Sequence, residues 1–448
     1  MKKVLLLLLV AFGYTVQAQS LYWDTKATTF STASTGIGQF SYAGTDVIWG
    51  YGTDGSGAGA QIRVWTRSVD GGLTWTNGAI NVGNTTLAIG SISAISATVA
   101  YVSVFPDVGS TALGGIWKTT DGGVTWVKQL TASYNTADSF ANIVHFWPDG
   151  QTGFSQGDPA NGYFEIYTTT NGGTNWTRVS SSNIPAPLDE EYGYTHNFAV
   201  NGDVVWFGTN KGRIYKSVNR GLSWTVSQSP ISDFGGASVS GNYAFESDTT
   251  GLLISSNFDY YTTNDGGATW NAEFPMNYRN YNIVYVPGTT NTYVNTGEDL
   301  EGARGSSYTT DGGVTWFDIN LVDIDDPINC GSALAFADST HGVAGGFTAS
   351  DAEGGVYRWK GSFLATEDFQ ATKAITASPN PTTGILNIAG KNISNVTAFD
   401  ILGKQVSTAN YTSLDNVTLN LSGMNSGIYM VKVTNNAGAV STIKVVKQ

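Results

Sequence analysis

One eight-residue pattern recurs six times along this 448-residue chain: Ser/Thr-x-Asp/Asn-x-Gly-x-Thr/Ser/Asn-Trp, ending at Trp75, Trp126, Trp176, Trp224, Trp270 and Trp316. The intervals are 51, 50, 48, 46 and 46 residues. A period of this size means an array of like units, each unable to bury its apolar face without its neighbours. Every copy lies between β-rich runs such as IRVWTRS and GRIYKSV, which makes it a hairpin turn. The side chain at the third position accepts backbone N–H groups across the turn, and the glycines supply positive φ. Asp70, Asp121, Asn171, Asn219, Asp265 and Asp311, with their six tryptophans, therefore read as structural staples. The Trp is expected on the outgoing strand, packed over its own unit. Each unit holds four strands, seen plainly in THNFAV, VVWFG, GRIYKS and SWTVS. Four strands make one propeller blade.

A seventh unit, ALAFADS, VAGGFT and GGVYRWK, lacks both the pattern and a fourth strand. Residues 21–30, LYWDTKATTF, form a strand without a partner, and Trp23 lies 52 residues before Trp75. The N-terminal strand is thus expected to complete blade 7 and close the ring, removing two exposed edges. Composition agrees. Glycine reaches 55 residues, aromatics 12%, and charged residues only 13%, against about 25% in an average protein. Helical bundles, coiled coils and disordered chains are excluded on that profile.

The repeat resembles the Asp-box (BNR) repeat of sialidase-like propellers. In size it is similar to the photosystem II assembly factor family, a single seven-bladed ring. The resemblance implies box turns on one face and ligands on the other. Sialidases need three arginines gripping a carboxylate, an Arg-Ile-Pro motif and a Tyr/Glu nucleophile pair. No Arg-Ile-Pro occurs here, and Arg220 sits inside a box. Xyloglucanase-like relatives need two rings. The basic patch of the assembly factors is missing from this acidic, arginine-poor body, so their role does not transfer.

The ends of the chain carry an address. Lys2 and Lys3 precede an apolar run from Val4 to Phe12, and Val16-Gln17-Ala18 suits a signal peptidase. Residues 1–18 read as a secretory signal, too short for a membrane span. After a linker at 363–374, residues 375–448 alternate apolar and turn residues in six or seven short strands, a small Ig-like sandwich. Pro379-Asn380-Pro381, Gly384, Gly403, the Ser426-Gly427-Ile428-Tyr429 run and Lys447 resemble the type A sorting domain of the type IX secretion system. That resemblance implies passage through the Sec machinery, transport across the outer membrane, and a sortase that removes the domain. The expected architecture is all-β: a seven-bladed β-propeller over 19–362, followed by the sandwich.

Charge and cysteine content narrow the partners. Residues 19–366 carry 14 Lys and Arg against 31 Asp and Glu, whereas residues 367–448 carry 6 against 4. An acidic body repels phosphate backbones, so nucleic acid is not expected. Cys330 is the only cysteine, which excludes an internal disulfide, a thiolate metal site and a redox pair. The mature protein is expected to be a monomer without a transmembrane span.

Candidate ligand residues lie in the loops expected on the box-free face. They are Tyr134, Asp158, Tyr192, Tyr194, His196, Tyr278, Arg279, Tyr281, Glu298 and Arg304. Candidate carboxylates for chemistry are Asp189, Glu190, Glu191, Asp323, Asp325 and Asp326. Acids beside tyrosines suit sugars, since acids accept hydroxyl groups and rings cover apolar sugar faces. Paired carboxylates can also cleave a glycosidic bond. Calcium at the DIDD cluster is the one cofactor reading left open. The leading expectation is a non-catalytic module binding an extracellular glycan or protein. A glycoside hydrolase or lyase, and a structural or adhesion component, are the alternatives.

Overall fold

The computed structural model describes residues 22–319, 333–363, 376–400, 404–436 and 440–448. It divides into two compact units, one ending at Ala365 and one beginning at Thr366. Among the described residues the first unit holds seven four-stranded antiparallel sheets. Blades 1 to 6 are consecutive in sequence: residues 35–79, 87–128, 141–178, 193–228, 241–273 and 282–318. The first strand of each blade alternates or runs apolar because it is covered on both faces by neighbouring blades.

Blade 7 is built from both ends of the unit. Trp23–Ala27 pairs with Glu353–Trp359, outside Gly342–Ser350 and Leu334–Phe336. The expected closure by the N-terminal strand is therefore what the sheet order contains. Seven apolar clusters then fill the seven gaps between neighbouring blades. One joins Trp49 and Trp65 of blade 1 to Val102 and Trp117 of blade 2. The last joins Val343 and Val356 of blade 7 to Ile37 and Ile48 of blade 1.

The boxes sit between third and fourth strands, as their sequence implied. Asp121 is typical. Its Oδ1 accepts the Thr119 hydroxyl at 2.8 Å and the Thr125 N–H at 2.9 Å, while Oδ2 accepts the Thr125 hydroxyl at 2.6 Å. Gly122 and Gly123 take φ of 77° and 89°, which only glycine adopts cheaply. The Trp ends the turn just ahead of the outgoing strand, one residue earlier than expected, and Trp126 is buried.

Two further contacts were not legible in the pattern. Each box donates one N–H to the turn between the first and second strands of its own blade, as in Gly71 to Asp46 at 2.9 Å and Gly122 to Thr98 at 3.0 Å. Box carbonyls also accept side chains of the preceding blade. Trp65 reaches Gly123, Tyr101 reaches Gly172, Trp206 reaches Gly266, and Arg358 of blade 7 reaches Gly71 of blade 1. The boxes of blades 1, 2, 3 and 5 thus tie their blade both to itself and to its neighbour.

The second unit differs from the expected run of short strands. Among the described residues it has five, and two are long: Ile385–Phe399 and Gln405–Asn420. Their pairing is irregular around Ile393 and Asn395, so one strand serves both halves of the sheet. Leu386, Ile388, Val417 and Leu419 meet Val396, Val431 and Val445 in one core.

Candidate functional site

The turn geometry fixes which residues share a face. Boxes and first-to-second-strand turns occupy one end of the blades. Blade-to-blade connections and second-to-third-strand turns occupy the other.

On that box-free face, two contiguous hollows of about 620 and 350 Å³ share Asp158 and Tyr192. The larger is walled by Pro187, Leu188 and Asn210, and the smaller by Phe105, Phe140 and Tyr194. Together they form a groove over blades 2, 3 and 4.

Asp158 is aimed by a bulge. The pairing of Gly153–Ala160 with Tyr163–Thr169 shifts between Gly157 and Pro159. A Cβ at Gly157 would lie 2.5 Å from the Phe140 carbonyl and 2.6 Å from the Tyr134 ring, so only glycine fits. Oδ1 of Asp158 accepts the Asn142 amide at 2.7 Å and the Gly193 N–H at 3.0 Å. Burial raises its pKa to about 7, against the pull of those two donors.

The connection from blade 3 to blade 4 splits its three carboxylates. Asp189 and Glu190 are exposed at the rim. Glu191 turns inward and is buried. One of its oxygens accepts the Thr209 hydroxyl at 2.7 Å; the other takes the Leu188 N–H at 2.8 Å and the Arg213 guanidinium at 3.0 Å. Asn210 clamps the loop from the next turn, accepting the Tyr192 N–H at 2.8 Å and donating to the Glu190 carbonyl at 2.9 Å. Tyr192 is left 43% exposed, edge-on to Tyr194 at 5.5 Å. The Tyr194 hydroxyl donates to Asp233 at 2.6 Å, and burial pushes its pKa well up.

Other candidates go elsewhere. Tyr134 is fully buried under the bulge, its hydroxyl bonded to Ser155 at 2.7 Å, so it offers nothing to a ligand. Tyr278 is buried and donates to the Phe258 carbonyl at 2.6 Å. Arg279 is buried between Asp299 at 2.7 Å and Asp318 at 2.6 Å, a structural pivot of blade 6. Tyr281 is exposed, and Glu298 pairs with Arg304 at 2.8 Å on the surface, all three away from the groove. His196 lines the central channel instead, Nδ1 lying 3.2 Å from the Tyr51 hydroxyl. Asp323, Asp325 and Asp326, with the calcium reading they carried, lie outside the described residues, as do Cys330, Gly403 and the signal segment. Among the described residues no three His, Cys, Asp or Glu side chains converge as a metal site. Asn142, Asn210 and Asp233 were missed by sequence reading; an Asn in an apolar strand, ANIVHF, was the one available signal.

The C-terminal unit places its motif residues around its last strand. Asn380 donates its amide to the Lys444 carbonyl at 2.8 Å and accepts the Val446 N–H at 2.9 Å. Gly384 packs on Ser422, whose Cα lies 3.2 Å from where a Cβ would sit. The Tyr429 hydroxyl donates to the Asn425 carbonyl at 2.9 Å, and Lys447 is buried. Nothing in the structure explains Gly427, which has open space around it.

Residues 377–448 match the family of secretion system C-terminal sorting domains. Through it the chain engages the type IX secretion machinery and reaches the cell surface or the extracellular space. Among the described residues no helix is long and apolar enough to cross a membrane. No curated protein matches the chain. Among solved structures it is similar to YCF48 bound to a D1 peptide, at 15% identity and TM-score 0.51, covering 77% of this chain and 96% of that one. It is also similar to PorZ, a surface component of the type IX secretion system of Porphyromonas gingivalis, at 14% identity and TM-score 0.45. That match covers 92% of this chain and 59% of PorZ. The YCF48 likeness supports the propeller fold alone.

Proposed function

We propose that this exported propeller is a non-catalytic binding protein, holding an extracellular glycan in the groove of Asp158 and Tyr192. In this reading it enters the periplasm by its signal peptide and the Sec route, and a sortase then removes the sorting domain. The observation that carries the binding reading is the shared position of these two residues in both hollows. An exposed ring stacks on a sugar face, and a carboxyl with a pKa near neutrality both donates to and accepts from hydroxyls. Hydrolysis would need a second carboxylate across the bond. Glu190 also lines the larger hollow but stays at its exposed rim, and the buried Glu191 has both oxygens engaged, which favours holding over cleaving.

A protein partner is the second reading. Phe274 and Met276 are 91% and 67% exposed on the same face, in the connection from blade 5 to blade 6. Exposed aromatic and Met side chains are typical of protein interfaces.

The test is retention of the mature chain on immobilised polysaccharides, with newly formed reducing ends followed alongside. Retention without release, lost in Tyr192→Ala, supports the glycan reading. Release of reducing ends would replace it with hydrolysis. Retention unchanged in Tyr192→Ala would move the site out of the groove.

A further inference from the structure

A cavity of about 680 Å³ occupies the central channel, lined from Gln39 in blade 1 round to Leu334 in blade 7. Its mouth is not on the groove face. Tyr42, Asn201, Gly202, Glu246, Pro287 and Gly288 all lie at or beside turns between first and second strands, the turns on which the boxes dock. Gln39, His196 and Asn242 are the deeper residues. The cavity therefore opens on the box side, away from Tyr192.

Its chemistry is specific. Among the described residues no Lys or Arg lines it, so an anionic ligand meets no counter-charge from them. Among the described residues Glu246 is the one carboxyl side chain in the wall, and its Oε2 already accepts the Asn291 N–H at 3.1 Å. His145 and His196 are both held neutral by burial, their pKa values lowered to about 4.

Three wall residues keep unused hydrogen-bonding capacity. Gln39 accepts the Ile92 N–H through Oε1 at 3.0 Å, leaving its amide hydrogens. Ser41 accepts the Ala94 N–H at 2.9 Å, leaving its own proton. His145 packs against the rings of Trp147, Phe154 and Phe198 and has no hydrogen-bond partner among the described residues, so its neutral imidazole offers one donor and one acceptor. Aromatic side chains, Phe198, Tyr243 and Phe336 among them, supply apolar wall between these groups.

We infer that the channel is a second binding site, for a small uncharged polyhydroxylated ring, a mono- or disaccharide, admitted from the box face. Hydroxyls donate and accept with equal ease, and matching them requires mixed polar groups without net charge. The volume falls within the usual range for small-ligand cavities, about 300–1,000 Å³. The site is independent of the groove, so either can exist without the other.

The test uses the mature full chain and titrates glucose, galactose, N-acetylglucosamine, maltose and lactose, with glucose 6-phosphate as the charged counterpart. Binding is read by saturation-transfer NMR and calorimetry. At least one neutral sugar is expected to bind in the millimolar range or tighter, and glucose 6-phosphate about tenfold more weakly or not at all. His145→Phe keeps the ring packing and removes both nitrogens; Ala199→Phe fills the channel. Each is expected to weaken binding about tenfold or more, whereas Tyr192→Ala leaves it unchanged. Absence of binding by every neutral sugar overturns the proposal, as does equal binding of the phosphate. Binding that survives His145→Phe in folded protein, or that Tyr192→Ala abolishes, overturns it too.

Discussion

Trp23, near the start of the described chain, lies in register opposite Trp359, and their rings meet edge-on at 5.1 Å. Both are buried, and the Trp23 indole N–H also donates to Ser306 of blade 6 at 3.0 Å. One side chain thus closes the ring and binds the neighbouring blade. Trp23→Ala is expected to cost about 3–5 kcal/mol, the range for a large aromatic removed from a core. Deleting residues 19–30 is expected to cost more, because it also exposes the edge of Glu353–Trp359. Denaturant unfolding of the propeller measures both; an unchanged midpoint after the deletion would show that the ring closes without it.

Box carboxylates are expected to tolerate amide replacement but not truncation. Asn219 already does the work of an Asp, accepting from Ser217 at 3.0 Å and Ser223 N–H at 2.9 Å, while its own amide donates to the Ser223 hydroxyl at 2.9 Å. Asp121→Asn should therefore leave the melting temperature nearly unchanged, and Asp121→Ala should lower it. The Thr125 hydroxyl, then the Thr125 N–H, hold the Asp121 pKa down at about 2. A depressed folded pKa gives stability that is present above the unfolded value near 3.8 and lost as pH falls toward 2. Wild type and Asp121→Ala should converge over that acid window; a gap that stays constant to pH 2 would refute the linkage.

Asp158 has the opposite sign. Its folded pKa, about 7, lies above its ordinary value of 3.8, so the folded state keeps a proton that the unfolded chain has lost. Its contribution is complete below pH 3.8 and is lost as pH rises through 7. Asp158→Asn keeps the Oδ1 acceptor for Asn142 and Gly193 and cannot ionise. It should melt close to wild type at pH 4 and above it at pH 8. Parallel melting curves across that range would mean that Asp158 is not held protonated by its site.

The buried pair of Glu191 and Arg213 sets the shape of the groove. Arg213→Ala leaves Glu191 uncompensated, at a cost of about 3–5 kcal/mol, the usual range for breaking a buried pair. Glu191→Gln should cost less, since an amide oxygen still accepts from Thr209 or Leu188. Unfolding measurements on both variants decide the order, and equal costs would show that the charge is irrelevant there.

Legibility followed the range of the interactions. The box is local, eight residues with its own hydrogen bonds, so its pattern predicted its turn and its structural role, while its face came from the resemblance. Closure was legible because Trp23 keeps the repeat spacing. The groove was only partly so. In the PLDEEY segment three adjacent carboxylates look alike, yet Glu191 is drawn inward by Arg213, 22 residues away, while Asp189 and Glu190 stay in water. Tyr134 and Tyr278 read as ligand rings because a loop tyrosine gives no sign of the bulge or turn that buries it. The channel was invisible, since it needs one strand from each of seven blades. In the sorting unit, ILNIAG and NVTAFD read as two strands and are one, because a bend in a long strand has the same composition as a turn.

The sorting unit offers the last prediction. Asn380 grips the backbone of the final strand as another strand would, donating to Lys444 and accepting from Val446. Thr382 continues the contact, its N–H reaching the Val446 carbonyl at 2.8 Å and its carbonyl taking the Gln448 N–H at 2.9 Å. The Pro-Asn-Pro segment therefore fixes where the C-terminal strand lies. Asn380→Ala removes two hydrogen bonds, each worth about 0.5–1.5 kcal/mol, and frees the last strand at its end while the core of Leu386, Val431 and Val445 remains. If the secretion machinery reads the folded tail, this single change should accumulate full-length protein in the periplasm, much as deletion of residues 375–448 would. Asn380→Asp keeps the acceptor and loses the donor, so it should fall between. Fractionation of cells carrying each variant measures the outcome, and normal surface delivery of Asn380→Ala would mean that the machinery does not depend on this clamp.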